Sequence, residues 1–149
     1  MELNGAAFSF ETPDAWEIVP AEGMVAASAP PDYLGFRPTI VLRESRIDNP
    51  VPTTLASISQ ANLRAIPQEV AGAYVVNVEA IPDGDAGPGP RERRRIWALA
   101  PVKPPTDDLL GVIMIQDLMV AGNSIAELTL TLPVVTWRPD GSFERILDS

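Results

Sequence analysis

The chain has 149 residues, of which 46% are hydrophobic and 21% charged, and its twenty acidic and eleven basic side chains give a formal net charge of −9. A chain of this length and apolar content is expected to fold as one globular domain, residues 1–149, around a single core. The acidic balance argues against nucleic acid as a partner, because binding to a phosphate backbone depends on clustered Lys and Arg.

The sequence contains no cysteine and no histidine. Disulfides, thiolate metal sites, and Ser-His-Asp or Cys-His catalysis are therefore excluded. The Asp83 and Asp85 pair begins like a calcium loop, but Arg94 stands where that loop needs a glutamate, so a plain turn is preferred. We expect no enzyme activity, no catalytic residue, no metal and no cofactor. A carboxylate-only site, for example Asp107 and Asp108 with Glu127, is the remote enzymatic alternative.

The N-terminal residues are acidic where a secretory signal would be basic, and no segment reaches the ~18 apolar residues of a membrane span. We therefore expect a cytoplasmic protein without a membrane span. The mature part of a secreted protein is the alternative.

The first third of the sequence predicts short strands. Phe8 and Phe10 alternate with polar residues, a turn follows at Pro13, and Trp16 opens the next apolar run. Further strands are predicted from Met24 and over residues 39–45, TIVLRES. Pro38 suits the start of that last strand because it cannot donate a hydrogen bond to a ladder.

Apolar residues recur at helical spacing from Leu55 to Ile66 and predict a helix. Pro67 is predicted to end it, because proline lacks an N–H group and disfavours helical geometry in the residue before it. The next run, AYVVNVEAIP, predicts a strand with Tyr74, Val76, Val78 and Ala80 on one face.

Three strands are predicted after the turn-forming residues 83–90: RERRRIWALAP, LLGVIMIQDLMVAG and SIAELTLTLPVV. Gly122-Asn123 between the last two is a hairpin signal. Ile125 does not share the parity of Leu128, Leu130 and Leu132, so a bulge or a late strand start is expected there.

Phe143, Ile146 and Leu147 are spaced as in a short amphipathic terminal helix. Consecutive strands with short links favour antiparallel pairing, so the predicted fold class is α+β. We expect an antiparallel sheet of about five to seven strands. The Leu55–Ile66 helix would cover one face and the terminal helix the other, as in an α/β/α sandwich.

The stretch GPGPRERRRIWALAP concentrates basic residues in an acidic chain. On a strand, Arg91, Arg93, Arg95 and Trp97 share one face, and Glu92, Arg94, Ile96 and Ala98 share the other. In one interpretation the arginines pair with acids of neighbouring strands and protect an exposed edge. In the other, Arg93, Arg95 and Trp97 bind an acidic or aromatic segment of a partner. Trp97 could equally belong to the core.

The segments FSFETPDAWEIV, FRPTIVLRES, TTLASISQANL and TLTLPVVTWRPDGSFERILDS resemble the Mog1/PsbP-like fold. Within that fold they are most similar to the LpqN-type actinobacterial proteins and the DUF1795 secretion-associated adaptors. The resemblance covers nearly the whole chain, although the lipobox cysteine of the lipoprotein members is missing. It implies a sheet between helices and a role in binding proteins or peptides, with no shared catalytic residues.

The sequence therefore predicts a non-enzymatic binding module, an adaptor or chaperone that is associated with secretion and has a protein or peptide partner. The alternative is a small-ligand or lipid-binding domain with an apolar pocket between sheet and helix. A homodimer is also expected, because runs such as VIMIQDLMV and LTLTLPVV need their strand edges covered.

Overall fold

The computed structural model describes residues 1–32, 35–48, 54–70, 72–81, 90–101, 109–135 and residue 147. The elements are β1 (Glu2–Asn4), β2 (Ser9–Glu11), β3 (Glu17–Val19), β4 (Met24–Ser28), β5 (Thr39–Arg46), α1 (Leu55–Glu69), β6 (Tyr74–Ile81), β7 (Arg91–Pro101), β8 (Leu109–Ala121) and β9 (Ser124–Pro133).

Seven strands form one sheet in the order β3-β4-β5-β9-β8-β7-β6, while β1 and β2 form a separate hairpin. Every neighbouring pair in the large sheet is antiparallel. The predicted α+β class with an antiparallel sheet is thus confirmed.

The turn between β8 and β9 consists of Gly122 and Asn123, because Ala121 pairs with Ser124. Gly122 has a φ of 60°, which glycine adopts without a steric penalty at the first position of such a turn. The bulge or late strand start expected near Ile125 is wrong, since β9 begins at Ser124 and pairs with β8 without interruption to Pro133. Ile125 simply faces the side of the sheet opposite to Leu128.

Helix α1 begins with a reciprocal cap in which Ser57 N–H donates to the Thr54 hydroxyl at 3.2 Å and Thr54 N–H donates to the Ser57 hydroxyl at 3.1 Å. The prediction that Pro67 ends the helix is wrong, because α1 continues to Glu69. In the last turn Pro67 removes a single helical hydrogen bond, and Val70 N–H still donates to the Ile66 carbonyl at 3.0 Å.

Replacing Thr54 by alanine should lower the free energy of unfolding by about 1 kcal/mol, because it removes the acceptor for one unsatisfied N–H group of the helix. Urea unfolding would measure the difference. Ser9→Ala, on the exposed side of β2, is the matched control and should change stability by less than about 0.5 kcal/mol. Equal losses in the two variants would contradict a capping role for Thr54.

The sheet has two covered faces. On the face that we call the hairpin face, Leu3 and Phe10 of the β1–β2 hairpin pack in the main core. The sheet residues of this core include Ile40, Leu42, Ile113, Ile115, Leu128, Leu130 and Leu132. The Glu44 carboxylate fixes the hairpin loop by accepting hydrogen bonds from the backbone N–H groups of residues 6–8, at 2.5, 2.8 and 2.9 Å.

Helix α1 covers the other face, which we call the helix face. Its second half packs Ile66 against a smaller cluster that contains Ile96, Ala98 and Val112. The predicted second helix falls almost entirely outside the described residues and stays a prediction. Its described residue, Leu147, is buried in the core of the hairpin face.

Candidate functional site

Strand β7 carries the three residues predicted to bind a partner. Its pairing with β8 is continuous from Arg91 to Pro101, so the two predicted faces are confirmed: Arg91, Arg93, Arg95 and Trp97 lie on the hairpin face. The idea that these arginines protect an exposed edge is wrong, because β7 lies between β6 and β8.

Arg91 and Arg93 converge on the buried carboxylate of Asp117 on β8. Arg93 donates from Nε to Oδ1 and from Nη2 to Oδ2, both at 2.8 Å, and Arg91 donates from Nε to Oδ2 at 2.8 Å. Arg91 Nη2 also donates to the Leu147 carbonyl at 2.6 Å. Arg93 is only 5% exposed and Asp117 is fully buried. Arg93 is therefore part of the buried sheet layer and lies beneath any surface that a partner could contact.

The other two predicted residues reach the surface. Arg95 forms an ion pair of 2.9 Å with Glu79 of β6, and both side chains are partly exposed. Trp97 pairs with Tyr74 of β6, with ring centroids 5.4 Å apart and planes inclined by 36°. The partly exposed pair Arg95 and Trp97 thus lies on β7 directly beside β6.

Among the described strands, β6 lies at one end of the sheet, and it carries exposed apolar side chains. Tyr74, Val76 and Val78 are 55%, 57% and 41% exposed. Their predicted common face is wrong, because the register with β7 shifts between Val75 and Asn77. This β-bulge puts Tyr74 on the hairpin face and Val78 on the helix face.

A cleft of about 280 Å³ lies beneath α1 on the helix face. Its polar lining side chains are Arg43 and Ser45 of β5, Asn62 and Glu69 of α1, Gln116 of β8 and Glu127 of β9. This cleft lies between sheet and helix and has a largely polar lining, and the apolar pocket expected from the sequence stays a prediction.

The floor beside the cleft is a hydrogen-bonded polar network. Arg94 is fully buried and donates from Nε to Glu92 at 2.8 Å and from Nη1 to the Gln116 carbonyl oxygen at 3.2 Å. Gln116 donates to the Thr129 hydroxyl at 3.3 Å. Two α1 side chains bind the same layer: Ser59 donates to Glu92 at 2.5 Å, and Asn62 donates to Glu127.

The acidic residues that the sequence singled out are only partly within the described chain. Glu127, one member of the predicted acid pair, is held by Asn62, whereas Asp107 and Asp108 lie outside the described residues, as do Asp83 and Asp85. Within the described part of the chain, no three acidic side chains cluster closely enough to hold a metal ion. Among the described helices, none has the length and apolar composition to cross a bilayer.

Sequence comparison finds no matching family model and no matching curated protein. Solved structures do match. PA94 of Pseudomonas aeruginosa, a protein of unknown function, has a TM-score of 0.65 at 11% identity and covers 100% of this chain and 94% of its own. The cyanobacterial PsbP of Synechocystis sp. PCC 6803 has a TM-score of 0.65 at 14% identity, with coverages of 98% and 86%.

The Ran-binding protein Mog1p of Saccharomyces cerevisiae matches with a TM-score of 0.59 at 10% identity, over 100% of this chain and 82% of Mog1p. At these identities the likeness establishes the fold and nothing about activity. Because PsbP and Mog1p both superpose on nearly the whole chain, this protein has the Mog1/PsbP-like fold that its sequence predicts.

Proposed function

We propose that this chain is a non-enzymatic binding protein, an adaptor or chaperone that holds an extended segment of a partner protein along β6. The observation that supports this function is the edge position of β6 together with the exposure of Tyr74, Val76 and Val78. An added strand gains main-chain hydrogen bonds from an open edge, and side-chain contacts then select its sequence.

The side chains next to this edge indicate what the partner segment carries. The Tyr74–Trp97 pair offers an aromatic surface at the first residue of β6. Arg95 lies two residues before Trp97 on the same face of β7. Its guanidinium can leave Glu79 and pair with a carboxylate of the partner instead. An extended segment with an aromatic and an acidic residue fits this surface. Arg93 would contribute indirectly, by fixing β7 through Asp117.

Two further facts support a binding role. Mog1p, which shares the fold, is a Ran-binding protein, and the chain lacks the histidine and cysteine on which most general-base and thiol catalysis depends. The narrower role in secretion, like the likeness to LpqN-type and DUF1795 proteins, is carried over from the sequence resemblance.

The test requires the isolated partner, identified by co-purification and mass spectrometry. Val76→Glu should weaken its binding at least tenfold, equivalent to about 1.4 kcal/mol, because a charge on an edge strand opposes strand addition and a carboxylate repels an acidic segment. The matched control is Ile18→Glu on β3, at the opposite edge, where Ile18 is 63% exposed. Amide hydrogen exchange should show new protection in residues 74–81 and none in β3. Equal binding by the two variants would refute the β6 surface.

A homodimer is the competing use of the same edge. Two copies of β6 could pair antiparallel about a two-fold axis, which makes the contact closed and symmetric. Light scattering of the free protein should then give twice the 16.0 kDa mass of the chain, and Val76→Glu should restore the monomer. A monomer at all micromolar concentrations would contradict this assembly.

Small-ligand binding is the second candidate function, and the cleft beneath α1 favours it. A volume of about 280 Å³ is near the lower end for small-molecule sites. Its polar lining suits a small hydrophilic molecule and gives a lipid chain few apolar contacts.

A further inference from the structure

The cleft beneath α1 presents three charged side chains, none of which has an ion-pair partner among the described residues. Arg43 and Glu127 lie opposite each other in the β5–β9 ladder, yet in the described part of the chain they form no ion pair. The Glu127 carboxylate accepts a hydrogen bond from Asn62. Arg43 and Glu69 are exposed at the cleft. The cleft therefore combines two carboxylates with one guanidinium.

Burying the polar network beneath the cleft costs free energy, and a sheet surface that only packs against a helix does not need such a network. Arg94 is 0% exposed, and its Nη2 atom has no hydrogen-bond partner among the described residues. Apolar residues of similar volume usually replace a buried charge network without loss of stability. This network does, however, hold the Gln116 amide in one orientation at the cleft, between Arg94 and Thr129. Such a fixed polar group favours a binding role, because it is organised before any ligand arrives.

The charges and size of the cleft define the ligand that fits. Two carboxylates and one guanidinium are complementary to a molecule with two cationic groups and one carboxylate. Ile58, Ile66 and Ile125 also line the cleft and can contact a methylene stem. The formal net charge of −9 favours the approach of a cationic ligand.

We infer that the cleft binds a free basic amino acid, with its carboxylate on Arg43 and its cationic groups on Glu127 and Glu69. This inference rests on the second candidate function and is independent of the β6 surface, because the described lining residues come from α1, β5, β8 and β9.

Isothermal titration of the full chain tests the ligand class with matched probes. L-lysine or L-arginine should bind saturably. Norleucine keeps the carboxylate and stem of lysine but lacks the side-chain amine, and cadaverine keeps both amines but lacks the carboxylate. Each should bind at least tenfold more weakly than lysine. Equal binding of lysine and either analogue would overturn the inference.

Two variants locate the binding in the cleft. Arg43→Gln should weaken the binding of lysine at least tenfold and should not weaken the binding of cadaverine, whereas Glu127→Gln should weaken the binding of both. Arg46→Gln is the matched control, because Arg46 is exposed on the same strand and lies on the hairpin face. Since Arg43 is also exposed, its variant should remain folded, and a melting curve would verify this. Lysine binding unaffected by Arg43→Gln would overturn the inference.

The panel separates failure of the ligand class from failure of the second candidate function. In one outcome lysine fails to bind, while a neutral probe such as glucose binds saturably and Glu127→Gln weakens that binding. This result would support the cleft as a ligand site but overturn the inference that its ligand is a basic amino acid. No binding by any probe would overturn both.

Discussion

Asp117→Asn should lower the free energy of unfolding by about 3–5 kcal/mol. The substitution leaves the guanidinium groups of Arg91 and Arg93 buried beside a neutral side chain, and removing one partner of a buried ion pair is strongly destabilising. Urea unfolding followed by circular dichroism would measure the loss.

Asp14→Asn is the matched control for this change. The Asp14 carboxylate is exposed and pairs with the N-terminal amino group at 3.1 Å, and solvent screens such a pair. The control should therefore unfold almost as the unchanged protein does. If Asp117→Asn behaved like the control, the buried cluster would not stabilise the sheet.

Leu130→Ala should cost about 2–5 kcal/mol, because it opens a cavity at the centre of the sheet. Leu130 lies between Ile40 of β5 and Ile115 of β8, and all three side chains are fully buried. Leu109→Ala is the matched control, since Leu109 is 60% exposed and an exposed position tolerates truncation within about 0.5 kcal/mol. Similar losses in the two variants would place the stabilising core elsewhere.

Periodicity and turn chemistry were sufficient to predict most of the fold. The alternation in β7, β8 and β9 and the Gly122-Asn123 turn are local signals, and local signals survive in the assembled sheet. The errors have different causes. Pro67 is accommodated because it falls in the last turn of α1. The bulge in β6 depends on its register with β7, which no residue of β6 specifies alone.

The candidate site was predictable only in part. Strand parity correctly placed Arg93, Arg95 and Trp97 on one face, but the burial of Arg93 depends on β8 lying beside β7 with Asp117 in register. One signal was available: Gln116 and Asp117 are consecutive polar residues inside the apolar run VIMIQDLMV. On a strand they must face opposite sides, and each proves to anchor a polar network on its own face.

No comparable pattern in the sequence indicated the cleft. Arg43, Asn62 and Glu127 come from elements far apart in the sequence, and they meet only because β5 pairs with β9 while α1 crosses above them. Apolar alternation specifies which residues of a strand face the core, but it does not specify which strand is the partner, so the pairing of β5 with β9 could not be predicted from it.

The β5–β9 ladder also sets an order of events during synthesis. Strands β6 to β9 form a continuous meander, in which each strand pairs with one already nearby, whereas β5 pairs residues 39–46 with residues 124–131. Contacts between distant segments form slowly because the closure of a long loop must come first. One side of β5 therefore stays unpaired until residues 124–131 have also left the ribosome. A nascent chain of this kind presents an open strand to its surroundings while residues 47–123 are being made, and it is expected to depend on protection against aggregation during that interval.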